Sequence, residues 1–135
     1  MSSQISRIST VNRSSNANAD MAAAGLTAFF SIAEEWALNT EQQQVLLGSP
    51  GRSTYFQWKR NLRGNLSRDT LDRLSYLLGI YKDLHILFSA NHVQQWLHNT
   101  NDNPMFNEQS PLDYMLSGSL VALADVRRYL DWARG

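Results

Sequence analysis

The sequence predicts an all-α protein with a helix-turn-helix in its N-terminal half. Three observations carry this. From Ala22 onward apolar residues recur at three- and four-residue spacing, with no alternating run and no hairpin dipeptide to mark a strand. The tetrapeptide Gly48-Ser49-Pro50-Gly51 separates two short helical segments. The stretch from Gln42 to Arg68 holds Arg52, Lys59, Arg60, Arg63 and Arg68 without one Asp or Glu, although the chain has 12 basic and 12 acidic side chains. Net charge is therefore silent, and its segregation is not. A local positive field suits DNA or an acidic protein surface, while the plain alternative is a solvated helix face.

At 135 residues the chain has room for one domain, or two very small ones sharing a core. Its 43% apolar content is enough to pack one. The absence of cysteine excludes disulfides, thiolate metal sites and Cys nucleophiles, and is compatible with a reducing cytoplasm. The apolar run Ala22–Ala33 is too short to span a bilayer. Asp20 precedes it and Glu34–Glu35 follow, the opposite of a signal peptide's basic flank. With Leu26, Phe29, Phe30 and Ala33 at helical spacing, it reads as an amphipathic first helix of a cytoplasmic protein without membrane association.

Residues 1–20 are rich in Ser and Asn and poor in large apolar groups, so they are expected to form a disordered tail. A second helix opens at Thr40, with Gln43 completing a capping-box pattern and Glu41 at the positive helix end; Gly48 stops it. The third, Arg52 to Leu62, turns Tyr55, Trp58 and Leu62 inward and leaves Arg52, Ser53, Phe56, Gln57, Lys59 and Arg60 on or near the other side. Two short helices around a glycine turn, the second basic, make the helix-turn-helix pattern. Ser67 caps the next helix, with Leu66 and Leu71 as a hydrophobic staple. Its broad stripe of Leu71, Leu74, Leu78, Tyr81 and Phe88, widened by Leu77 and Leu84, implies burial on more than one side. A short helix from His92 to His98, a polar loop over Asn99–Gln109, a short helix from Pro111 and a last helix from Ser119 follow. The chain stops at Asp131-Trp132-Ala133-Arg134-Gly135, an ending expected to belong to a surface.

No catalytic constellation is visible. His85, His92 and His98 are spaced seven and six apart, which places no pair at the i, i+4 spacing of a helical zinc site. No serine sits in a glycine elbow and no glycine loop cradles phosphate. Neither enzymatic activity, a metal nor a cofactor is expected. For DNA, the early residues of the second helix of the motif reach base edges, which nominates Arg52, Ser53, Thr54 and Gln57. Arg and Gln can make paired hydrogen bonds to guanine and adenine. Lys59, Arg60, Arg63 and Arg68 are placed to hold phosphates.

The segments RSTYFQW (Arg52–Trp58), LSRDTLDRLSYLLGIYKDLHILF (Leu66–Phe88), NPMF (Asn103–Phe106), PLDYMLSG (Pro111–Gly118) and the closing VRRYLDWARG together resemble the Xre/MbcA/ParS antitoxins. The resemblance covers Leu26 to Gly135. It implies a Cro-like helix-turn-helix bundle over residues 21–90, binding operator DNA and dimerising, followed by a small helical toxin-binding region over residues 91–135. The partner it implies is a RES-domain toxin that degrades NAD or uses it to modify proteins. Neutralisation would cover the toxin's active-site entrance, with Asp131, Trp132, Arg134 and Gly135 as the plug, forming a hetero-oligomer with the toxin. Phe106, Pro111, Leu112, Asp113 and Gly118 match the family motif, chiefly to shape the helices; Phe106 and Asp113 are also carried as candidate toxin contacts. Deleting Trp132 to Gly135 is expected to abolish neutralisation and spare the fold. The Ser/Asn-rich tail departs from the family pattern. The competing reading is a stand-alone helix-turn-helix transcription regulator whose C-terminal helices only dimerise it.

Overall fold

The computed structural model describes residues 2–135, with side chains from Ala17 onward. Among them there are seven α-helices, one 3₁₀ turn and no strand. The helices are α1 (Ser2–Glu35), α2 (Thr40–Leu46), α3 (Arg52–Asn61), α4 (Arg68–Leu87), α5 (Ala90–His98), α6 (Pro111–Met115) and α7 (Leu120–Arg134), with the 3₁₀ turn at Pro104–Phe106. No described helix is long and apolar enough to cross a membrane.

Most boundaries follow from local chemistry. Ser67, Ser110 and Ser119 each accept a backbone N–H three residues on, capping α4, α6 and α7. Pro111 occupies the first position of α6, where a missing N–H costs nothing. Two boundaries differ from the sequence reading. The capping box of α2 is Asn39 with Gln42, one residue before Thr40 with Gln43. Asn39 is the stronger cap, and the shift leaves Gln43 free to turn inward. α1 begins well before Ala22. The side chains of the expected tail up to residue 16 lie outside the described residues, and residues 17–20 continue α1 as exposed helix. Once the buried half of a helix is fixed, each further residue adds a hydrogen bond without a new nucleus.

α4 is the central element, packing chiefly against α7 and α1, while α6 bridges α5 and α7. One continuous core runs through all of this, from Leu26, Phe29 and Trp36 of the first helix and its end, through Leu77, Ile80 and Leu84 of α4, to Leu123, Val126 and Leu130 of α7. The broad stripe read on α4 is thus explained: one side meets α1 and the other α7. Ala133, at helical spacing from the buried Leu123, Val126 and Leu130, is exposed because the helix outruns the core there.

Candidate functional site

The helix-turn-helix is built from inside outward. Tyr55 is fully buried and donates its hydroxyl to Gln43 Oε1 at 2.5 Å, while Gln43 Nε2 donates to the Leu38 carbonyl at 2.9 Å. Burial pushes the Tyr55 phenol up, so it stays a donor. This chain of bonds ties α3 to α2 across the turn. Gly48 sits at φ +94°, a left-handed conformation open to glycine, and a Cβ there would lie 2.8 Å from Asp69 Oδ2. Thr70 at the start of α4 donates to the Leu47 carbonyl at 3.3 Å, fixing α4 against the same turn.

With Tyr55 and Trp58 inside, α3 presents Arg52, Ser53, Thr54, Gln57, Lys59 and Arg60 to solvent, and Arg63 is exposed just beyond it. These are the residues nominated for DNA, and all of them are exposed. Among the described residues no ion pair involves Arg52, Lys59, Arg60 or Arg63, whereas Arg68 pairs with Asp72 at 3.2 Å. Phe56, which the sequence reading left without a role, is also exposed there.

The candidate toxin contacts separate. Phe106 is fully buried, and its ring meets Trp96, Tyr114 and Tyr129 edge to face at 5.9, 5.5 and 5.7 Å. It organises the core of this half and offers no surface to a partner, which corrects its nomination as a contact. Asp113 is exposed in the first turn of α6, where a carboxylate complements the helix dipole. Trp132 is 79% exposed, beside a shallow groove lined by Met105, Asp125, Arg128 and Tyr129.

Asp131 and Arg134 belong to a different arrangement, on the face of α7 turned toward α4. Arg134 Nη1 donates to Asp83 Oδ1 at 2.9 Å, Arg127 Nη1 lies 3.7 Å from Asp83 Oδ2, and Arg127 Nε donates to Asp131 Oδ2 at 3.1 Å. Asp83 itself is fully buried. Burial alone would push its carboxyl up. The adjoining Asp131 carboxyl and the hydrogen bond from Arg134, with the charges of Arg127 and Arg134, outweigh that and hold it below its ordinary value. Asp131 moves the other way, raised by the neighbouring Asp83 carboxyl and by burial. Gly79 makes room for the arrangement: a Cβ there would fall 1.7 Å from Arg127 Nη1. Arg134 is therefore an anchor within the fold, and removing Trp132 to Gly135 would also take away a cationic partner of a buried carboxylate. A second polar link crosses from α4 nearby, where Arg73 pairs with Asp69 at 2.8 Å and donates to the Gly118 carbonyl at 2.9 Å.

The three histidines have separate partners. His85 lies tilted against the Tyr81 ring and approaches Glu35 at 3.6 Å, His92 meets Ser89, and His98 meets the Trp36 carbonyl at 3.2 Å. Among the described residues no group of three His, Asp or Glu side chains is placed to hold a metal ion.

Two family descriptions cover most of the chain. Residues 15–79 match the antitoxin Xre-like helix-turn-helix domain, and residues 84–135 match the antitoxin Xre/MbcA/ParS C-terminal toxin-binding domain. Asp83 stands between the two matched segments. An uncharacterized protein, y4oB, of Sinorhizobium fredii (strain NBRC 101917 / NGR234) is 48% identical over 113 residues, spanning 83% of this chain and 85% of its own length.

Proposed function

Because the chain belongs to the Xre/MbcA/ParS antitoxins and carries both a helix-turn-helix and a toxin-binding domain, we propose that the toxin it neutralises is a RES-domain protein that consumes NAD. Neutralisation is by occlusion of the active-site entrance, with no chemistry contributed by the antitoxin. The end of α7 supplies the occluding surface, and Trp132 is its centre. The protein works in the cytoplasm as a homodimer that also represses its own operon through the basic face of α3.

The observation that carries the toxin-facing part is Trp132. An aromatic ring left 79% exposed at the end of a toxin-binding domain is unusual for a monomer's surface and typical of an interface anchor. Asp131 and Arg134 act behind it, holding the last turn of α7 on α4, while Asp113 lies on the exposed rim of α6. The basic face of α3, with no carboxylate from Gln42 to Arg68, supports the operator-binding part.

The test is a tagged pull-down from the native host with mass spectrometry, followed by toxin co-expression. A stoichiometric RES-domain partner is expected, and a partner of another fold overturns the RES assignment. Trp132→Ala should weaken toxin binding by at least about 2 kcal/mol, roughly thirtyfold, and lose growth rescue at equal expression. Its melting temperature should stay unchanged, since the ring is exposed. Full rescue by Trp132→Ala would exclude Trp132 as the anchor.

A further inference from the structure

Phe56 is the large apolar side chain that α3 leaves uncovered, at 37% exposure, while its neighbour Tyr55 and the nearby Trp58 are buried. It shares a helix face with Arg52 and Ser53, at positions i−4 and i−3. Its ring is held from two sides. The Arg52 guanidinium lies over it at 5.0 Å, and the buried Tyr55 ring meets it edge to face at 5.0 Å and 71°. Tyr55 is itself locked by its bond to Gln43, so the support behind Phe56 is rigid.

An aromatic ring amid unpaired cations gains nothing from phosphate, yet it sits where base edges are read. In the major groove the one large apolar group on a base edge is the 5-methyl of thymine. The stack also pre-orients Arg52, whose fork then loses less rotamer freedom on reaching a guanine. We propose that Phe56 is a specificity-determining residue that packs on a thymine 5-methyl in the operator's major groove, with Arg52 stacked on it reading the adjoining guanine. This rests on the DNA-binding reading above, and extends it from phosphate contact to base choice.

The test uses the full chain and a duplex taken from upstream of its own gene, synthesised with thymine or with deoxyuracil throughout. Deoxyuracil pairs as thymine does and lacks only the methyl. The wild type should bind the deoxyuracil duplex about fourfold more weakly for each methyl it buries. Phe56→Ala should lose a similar factor on thymine DNA and show no further loss on deoxyuracil DNA. Equal wild-type affinity for the two duplexes overturns the proposal and leaves DNA binding standing, as does a Phe56→Ala protein that still prefers thymine. No salt-sensitive binding to either duplex overturns the DNA-binding reading and the proposal with it. Should Phe56→Ala fold poorly, Phe56→Leu takes its place, and the wild-type comparison decides without either variant.

Discussion

Two helices of this protein carry clustered arginines, and they use them in opposite ways. On α3 and just beyond it, Arg52, Lys59, Arg60 and Arg63 point to solvent with no ion pair among the described residues. On α7, Arg127 and Arg134 both turn toward the buried Asp83, and Arg128 pairs with Asp125 at 3.5 Å. The first cluster leaves its positive field uncancelled among the described residues, which suits a polyanion. The second is met by carboxylates of the same molecule, and what α7 leaves exposed is the Trp132 ring beside its groove. A count of basic residues cannot separate these cases; what separates them is a carboxylate delivered from another helix.

The largest effect should come from removing that carboxylate. Asp83→Ala leaves Arg127 and Arg134 facing a buried void without their shared partner, and should cost about 3 kcal/mol, or roughly 10 °C in Tm. The pH dependence follows from the direction of the shift. Asp83 is held below its ordinary value of 3.8 in the folded state. Its contribution is therefore complete above that value and is lost as pH falls through the lower, folded-state value. Asp83→Ala should accordingly lose less stability on acidification than the wild type, measured by urea titration at several pH values. A parallel acid decline in both proteins would mean that other carboxylates govern it. Toxin affinity should fall with the same substitution, since the last turn of α7 would no longer be fixed, while DNA affinity should not.

The contrast between the two helices was only half legible in the sequence. The basic face of α3 is local: its turn residues, its cations and its inward Tyr55 and Trp58 lie within a short span, and helical periodicity is enough to sort them. The serine caps and Pro111 were legible for the same reason. The bond from Arg134 to Asp83 crosses 51 positions, and no periodicity marks either residue as a partner. The resemblance brings the end of α7 to the toxin, which makes Arg134 a candidate plug residue, but it says nothing of the bond that Arg134 makes to α4. Phe106 was misassigned because a family motif does not distinguish a contact from the core residue that shapes it. The cap of α2 slipped by one because Asn39 and Thr40 are both cap formers with a Gln three residues on, and only the inward turn of Gln43 toward Tyr55 decides between them.

A middle-sized effect sharpens the comparison from the DNA side. Replacing Arg60 or Arg63 by Ala should weaken binding to all duplexes by about 1 kcal/mol and lower the salt slope by about one unit. Arg128→Ala, an arginine on the other helix, should leave both unchanged. An unaltered slope for Arg60→Ala and Arg63→Ala would place the phosphates elsewhere. A slope altered by Arg128→Ala would join the two faces into one DNA surface and dissolve the distinction between them.

The smallest effect is the most diagnostic of how the α7 cluster is built. Gly79 lies in mid-helix, where Ala is intrinsically better by up to about 1 kcal/mol. Its replacement nevertheless should not stabilise the protein, because a Cβ would stand 1.7 Å from Arg127 Nη1. Arg127 would have to swing away, surrendering both Asp131 at 3.1 Å and Asp83 at 3.7 Å. The pair with Asp131 is partly solvated, and the buried Asp83 keeps its hydrogen bond from Arg134, so the loss and the propensity gain are of similar size and Gly79→Ala should come out slightly destabilising, by less than about 1 kcal/mol. In an Arg127→Ala background the obstacle is gone, and the same substitution should become stabilising. That reversal of sign, read from the two thermal denaturation pairs, isolates the contact between Gly79 and Arg127 from every general effect of altering α4. An equal penalty in both backgrounds would mean that Gly79 is needed for the path of the helix itself, and that Arg127 lies over it by convenience and not by requirement.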